Sequence, residues 1–205
     1  MADMANLPDV EDCWGALIEE LGLRDPALRS NPDQKANAED NFLVPVTYMN
    51  SSASLKAFVG RHGGIVCTST NAMGVIQWAL DRAGGLGKVL FFPDQHLGRN
   101  TALKMGFQQE EMVVWDPKKY PERNDLENAR FVLWHGYCSV HQRFTVDQIQ
   151  HLRESSPGAL VVVHPECESK VVLAADADGS TDFIRKYCDD APAGSVIGVG
   201  TEINL

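Results

Sequence analysis

Between Leu43 and Val199 the sequence breaks repeatedly into short, nearly continuous apolar runs fenced by turn residues. They are Leu43–Tyr48, Gly64–Cys67, Lys88–Phe92, Glu111–Trp115, Arg130–His135, Leu160–His164 and Ser195–Val199. A strand with one face in water alternates apolar and polar side chains. A strand that does not alternate is covered on both faces, which is the signature of a parallel sheet with helices on either side. The fold class expected is therefore α/β, in three-layer αβα domains with parallel sheets. Upstream, Trp14, Leu17, Ile18 and Leu21 recur at helical spacing, which predicts a helix from Asp9 closed by Pro26. Residues 30–40 are polar and aperiodic, and read as a surface loop.

Charge and cysteine usage narrow the function classes. With 28 acidic against 18 basic residues the net charge is −10, and no Lys/Arg cluster offsets it, so nucleic-acid partners are disfavoured. No apolar run approaches the roughly 20 residues needed to span a bilayer, and the N-terminal stretch is acidic and polar, so a membrane role is disfavoured and a cytoplasmic location is expected. Cys13, Cys67, Cys138, Cys167 and Cys188 are odd in number and widely spaced, which argues against a disulfide framework and a zinc knuckle. Reduced thiols follow, one or two of them candidate metal ligands.

Residues 43–97 laid over 159–205 show one unit twice. The first copy runs Val44–Tyr48-Met49-Asn50-Ser51, Lys56, Thr68-Ser69, a helix, then Val89–Pro93-Asp94. The second runs Val161–His164-Pro165-Glu166-Cys167, Lys170, Ser180-Thr181, a helix, then Val196–Thr201-Glu202. In both, a strand ends in polar residues and a Ser/Thr pair precedes the next helix. Ligands of such sheets bind outside the carboxyl ends of strands, so these ends are candidate site residues, although any two βαβ units share some of this pattern.

Six ordered motifs extend that reading: Tyr48-Met49-Asn50-Ser51, Val66-Cys67-Thr68-Ser69-Thr70-Asn71-Ala72, Phe92-Pro93-Asp94-Gln95-His96-Leu97-Gly98, Gly136-Tyr137-Cys138-Ser139-Val140-His141, His164-Pro165-Glu166-Cys167 and Gly200-Thr201-Glu202. In order and approximate spacing the chain resembles the quinolinate synthases. The resemblance implies three similar α/β domains about a pseudo-threefold axis, with one cysteine from each holding a central 4Fe–4S cluster. On that pattern residues 1–42 are a helical segment and loop joining from a missing first domain, 43–138 the second α/β domain, and 139–205 an incomplete third. Met1-Ala2-Asp3-Met4 resembles the run that follows the first cluster cysteine, and Cys138 is the one cluster ligand within the chain, the other two lying outside it. The activity implied is condensation of iminoaspartate with dihydroxyacetone phosphate to quinolinate in NAD biosynthesis, with an aspartate-oxidising enzyme as the supplier of iminoaspartate. The open iron of a three-cysteine cluster would act as a Lewis acid on substrate oxygen.

The resemblance also assigns roles, and each residue has a plainer structural reading. Glu166 is implied as the acid/base beside the metal and His164 as catalytic and substrate-orienting; both bind substrate. As structure alone, they are polar residues of a strand-end turn around Pro165. Ser69 and Thr181 are implied substrate contacts, or simply helix N-caps. Tyr48 and Asn50 are implied contacts through a hydroxyl and an amide, or an aromatic strand terminus and a turn residue. For Cys138 the plainer fate is a buried inert thiol. His141 belongs to its motif with no assigned role. Cys67 and Cys167 read as packing, and Lys56 and Lys170 as either anion-neutralising or snorkelling lysines. Trp14, Trp78, Trp115 and Trp134 read as core.

Two rival readings use the same residues. One is a metal-free sugar-phosphate isomerase or aldolase-like enzyme working through Glu166 and His164. The other is a non-catalytic or degenerate protein binding a dicarboxylate through Ser69, Asn50 and Thr181. An incomplete third domain also exposes apolar faces, so aggregation or loose oligomers are expected of the chain alone.

Overall fold

The computed structural model describes residues 4–29, 31 and 34–202. Met1, Ala2 and Asp3, the start of the run matched to the first cluster cysteine, lie outside the described residues, as do Ser30, Pro32 and Asp33 of the expected loop. The chain divides into two compact units, Met1–Gly136 and Tyr137–Leu205.

In the first unit, β1 (Leu43–Tyr48), β2 (Ile65–Cys67), β3 (Lys88–Phe92), β4 (Met112–Trp115) and β5 (Phe131–Trp134) form one parallel sheet in the order β2-β1-β3-β5-β4. The uninterrupted apolar runs have the consequence expected of them, since every residue of β1, β3 and β5 is buried. The run at β2 differs. It sits at the sheet edge, and Val66 is 37% exposed.

One face of this sheet packs Leu43, Leu90, Phe92 and Val132 with α1 (Leu7–Leu21) and α2 (Ala53–Arg61), through Val10, Cys13, Trp14, Leu17, Leu55 and Phe58. The other packs Val44, Val89, Phe91 and Leu133 with α3 (Ala72–Ala83) and α4 (Gln95–Lys104), through Val75, Ile76, Ala79 and Leu97. Beyond β4, α5 (Arg123–Asn128) buries Leu126. The N-terminal helix is thus part of this unit's own core. It starts at Leu7, earlier than expected, because Asn6 Oδ1 accepts from Asp9 N–H at 3.0 Å and caps it. It ends at Gly22, whose φ of 62° is open to a residue without a Cβ, so Pro26 opens a separate 3₁₀ turn. Trp14, Trp115 and Trp134 are core, whereas Trp78 is half-buried with the Arg82 guanidinium 4.2 Å above its ring.

The second unit holds α6 (Val146–Ser155), β6 (Leu160–Val163), α7 (Ser169–Ala174), β7 (Ala177–Asp178), α8 (Thr181–Asp189) and β8 (Ile197–Gly200), with the parallel order β7-β6-β8. That order repeats β2-β1-β3, so the internal similarity is a shared topology. β7 was not legible in the sequence, being two residues long. β8 begins two residues later than expected and stays partly exposed, with Val199 at 40%. The apolar core here is small: Ile149, Val161, Val163, Cys167, Val171 and partly buried neighbours.

Candidate functional site

The order β7-β6-β8 sets where the second unit can bind. The chain leaves β6 for β7 on one side and returns to β8 on the other, so the carboxyl ends of β6 and β8 lie at a switch point of the sheet, where ligands of such sheets bind. The loop after β6 is His164-Pro165-Glu166-Cys167. His164 N–H donates to Gly200 O at 2.9 Å, which carries the pairing one residue past β6, and Cys167 N–H donates to His164 O at 3.0 Å, which closes the turn. Thr201 and Glu202 follow β8. Cys138 and His141 come from the segment before α6, where Gln142 N–H donates to Cys138 O at 3.1 Å and a 3₁₀ turn spans His141–Arg143. The bond from Gln142 to Cys138 closes a five-residue turn and brings the thiol and the His141 imidazole near one another.

These groups converge. One ligand atom each from Cys138, His141 and Glu166 lie within 4.8 Å of one another. Glu166 Oε2 is 3.1 Å from His164 Nδ1 and 3.4 Å from His141 Nδ1, and the two imidazole rings stack with centroids 4.7 Å apart. His141 Nε2 is 3.4 Å from Thr201 Oγ1, while His164 Nδ1 accepts from Glu166 N–H at 3.3 Å. The residues His141, His164 and Glu166 are each at most 4% exposed. Glu166 Oε1 and His141 Nδ1 are buried with no hydrogen-bond partner.

Burial decides the charge state. It pushes the Glu166 carboxyl up to about 8, with the charge of Glu202 adding to the effect. The same desolvation pulls His141 and His164 down to about 4, with His164 further disfavouring charge on His141, and Glu202 and Asp178 partly offsetting the shift at His164. Near neutral pH the cluster is a protonated carboxyl between two neutral imidazoles. It can give a proton, take one back, and supply sulfur, nitrogen and oxygen donors to a metal.

A family profile for the Quinolinate synthetase A protein matches residues 1–205. The chain belongs to the quinolinate synthetase A family. Similar proteins include the quinolinate synthases of Corynebacterium glutamicum, Nocardioides sp. and Geobacillus kaustophilus, at 54%, 48% and 45% identity over the whole chain and 48%, 50% and 51% of their own lengths. The chain spans about half the length of the curated relatives it matches.

Of the residues that the quinolinate synthetase resemblance implies, the second unit brings Cys138, His164 and Glu166 together with His141, whose part the sequence left undecided. The available signal was the three-residue spacing of Cys138 and His141, which becomes telling only once the turn closed by Gln142 N–H and Cys138 O is known. Thr181 is the first residue of α8. Its helix is capped by Ser180, whose Oγ accepts from Phe183 N–H, so capping is not the role of Thr181. Gly179 N–H donates to Val163 O at 3.1 Å and ties the approach to α8 to the end of β6. Lys170 is exposed and paired with Glu168 at 2.6 Å, and Cys167 is fully buried with its Sγ 3.7 Å from Gly200 O.

In the first unit the family's implied contacts lie at the equivalent sheet end. Tyr48 closes β1 and is buried, Asn50 is exposed in the loop to α2, and half-buried Ser69 precedes α3. The cap position of α3 is held by Asn71, which makes no side-chain capping bond there and instead accepts from Thr68 N–H through Oδ1 at 2.7 Å, so Ser69 is not the cap either. Cys67 is fully buried and its thiol is pushed up to about 12 by that burial, which suits packing. Lys56 lies half-buried on α2.

Proposed function

We propose that this chain carries part of the active centre of a quinolinate synthase, which joins iminoaspartate to dihydroxyacetone phosphate, expels two waters and phosphate, and closes the pyridine ring of the NAD precursor. What supports the reading, beyond family membership, is Glu166: a carboxyl that keeps its proton near neutrality at the sheet's switch point. Dehydration needs an acid to protonate a departing hydroxyl and a base to remove a proton from the neighbouring carbon. A group with its affinity near the working pH serves both ends. His164 is held through its backbone in the β6–β8 pairing and faces the same carboxyl, which fits a substrate-orienting partner. Thr181, Tyr48, Asn50 and Ser69 are assigned to the substrates' carboxylate and phosphate oxygens through hydroxyl and amide donors.

The donor set fits an iron–sulfur cluster at one corner only. Cys138 and Cys188 are half-buried, whereas Cys13, Cys67 and Cys167 are fully buried, and of the two it is Cys138 that lies with His141 and Glu166. We assign Cys138 as one ligand of a 4Fe–4S cluster whose remaining ligands lie outside the described residues. When bound, the cluster supplies a Lewis acid for substrate oxygen. An aspartate-oxidising enzyme as supplier of iminoaspartate and a cytoplasmic location belong to the same proposal. Among the described residues no helix is long and apolar enough to cross a membrane.

The test is complementation of a quinolinate-requiring bacterial strain by the longest reading frame containing these 205 residues. Growth that depends on Cys138 and Glu166 supports the proposal. Growth retained by Cys138→Ser favours a metal-free enzyme, and no growth with a well-folded, iron-loaded product favours a binding protein.

A further inference from the structure

The atoms gathered around Glu166 are a mixed set: a thiol sulfur, an imidazole nitrogen and a carboxylate oxygen. Iron–sulfur clusters are held chiefly by several thiolates, whereas one sulfur, one nitrogen and one oxygen within reach of a single point is the donor chemistry of a mononuclear divalent ion. We propose that Cys138, His141 and Glu166 form a site for one borderline-soft divalent cation, zinc or ferrous iron, occupied whenever Cys138 is not engaged by a cluster. The proposal does not rest on the condensation reaction, because it concerns only what these three side chains bind.

Three observations carry it. The donors lie within 4.8 Å of one another, and His141 Nδ1 to Glu166 Oε2 is already 3.4 Å. Adjacent donors of a tetrahedral zinc sit about 3.4–3.8 Å apart, so closure needs a movement of only about 1 Å. Second, Glu166 Oε1 is a carboxylate oxygen without a hydrogen-bond partner on a side chain 3% exposed, and His141 Nδ1 is likewise unpartnered on one 6% exposed. Buried polar atoms left unpaired are costly, and a cation between them would satisfy both. Third, the far side of the His141 ring is held: Nε2 faces Thr201 Oγ1 at 3.4 Å, so an Nε2–H donating to that hydroxyl leaves the Nδ1 lone pair turned toward Glu166. A metal-binding histidine characteristically has its other nitrogen fixed in this way. Charge also balances, since a thiolate and a carboxylate neutralise a divalent ion in a buried setting. Three protein donors leave a fourth position open.

Cobalt(II) is the probe, added to the metal-free, reduced protein under anaerobic conditions. One equivalent should bind with the ligand-field spectrum of a four-coordinate ion and a sulfur-to-cobalt charge-transfer band, and zinc should displace it. Cys138→Ser should abolish the charge-transfer band, and His141→Ala and Glu166→Gln should each weaken binding about tenfold or more. Cys188→Ser should change nothing. X-ray absorption of the zinc-loaded wild type, which needs no variant, should give one sulfur and two to three nitrogen or oxygen neighbours. A six-coordinate cobalt spectrum only, a charge-transfer band that survives Cys138→Ser, or a zinc shell with two or more sulfurs would overturn the proposal. Complementation by the wild-type frame is read separately, so failure of the condensation reaction leaves this result standing, and the reverse also holds.

Discussion

The two units share the strand order that puts one central strand between its two successors, yet they divide the work differently. The first unit covers both faces of its sheet, buries β1, β3 and β5 throughout, and sets neutral groups, Tyr48, Asn50 and Ser69, at and after the ends of β1 and β2, while buried Asp94 after β3 is spent on capping α4 through Leu97 N–H. The second has one small apolar cluster, leaves Leu173, Phe183 and Val199 exposed at 80%, 43% and 40%, and follows β6 with buried ionisable groups, His164 and Glu166. One topology thus carries neutral polar groups after its first strand in one case and a buried ionisable cluster in the other. Buried titratable groups cost stability, and the cluster of three, His141, His164 and Glu166, sits in the unit with less apolar core to offset them.

The comparison can be broken most sharply at activity. In the iron-loaded protein from the longest frame, Glu166→Gln should lower the rate of quinolinate formation by about a hundredfold or more, the scale of a lost acid/base group. Asn50→Ala removes one polar contact and should cost about tenfold or less. Equal losses would show that the first unit takes part in the chemistry itself.

Stability comes next. Leu90→Ala opens a cavity in the fully buried strand β3 and should cost about 2–5 kcal/mol. Val161→Ala in the second unit should cost about 2 kcal/mol or less. All four tryptophans lie in the first unit, so fluorescence in urea reads that unit, and labelling of buried Cys167 reads the other. If Leu90→Ala moves both signals together, the units do not unfold separately.

A stability maximum near neutral pH is expected of the second unit. The folded-state affinity of Glu166 is raised from 4.5 to about 8, so its contribution to stability is complete below pH 4.5 and is lost as pH rises through 8. His141 and His164 are depressed from 6.5 to about 4, so theirs is complete above pH 6.5 and is lost as pH falls through 4. Stability of the metal-free second unit should therefore peak near pH 6.5. Labelling rates of Cys167, normalised to an unfolded peptide at each pH, should show that maximum, and Glu166→Gln should flatten its alkaline side. An unchanged alkaline limb in the variant would assign the decline to another group.

The smallest effect belongs to the surface. Arg185 pairs with Asp182 at 3.1 Å and Asp189 at 2.9 Å, all exposed, and Arg185→Ala should leave stability unchanged within error by either readout. A measurable loss would mean that α8 is held by charge and not by Ile184, its buried residue.

The sequence was most informative where the physics is local. Unbroken apolar runs gave β1, β3 and β5, and the matched polar ends gave the sheet end at which the site residues gather. It was least informative where a neighbour decides. β2 has the composition of a buried strand, but its edge position leaves Val66 in solvent. β7 exists because Ala177 and Asp178 pair with Val162 and Val163, a match that no two-residue pattern announces. Ser69 and Thr181 resemble caps until Asn71 and Ser180 are seen to hold those places. Glu166 could be picked out by its motif, but its retained proton depends on burial beside His164 of the same turn and His141, brought in from the segment before α6.

The position of β6 has one more consequence. Its backbone is bonded on both sides, to β7 and β8, and the loop of His164 and Glu166 continues directly from it. Thermal fraying of a small sheet starts at its rims, so the amides of β6 should be among the last in this unit to exchange with deuterium. The carboxyl and imidazole are hung on the slowest clock in the unit, and their spacing should outlast many openings of the strands beside them.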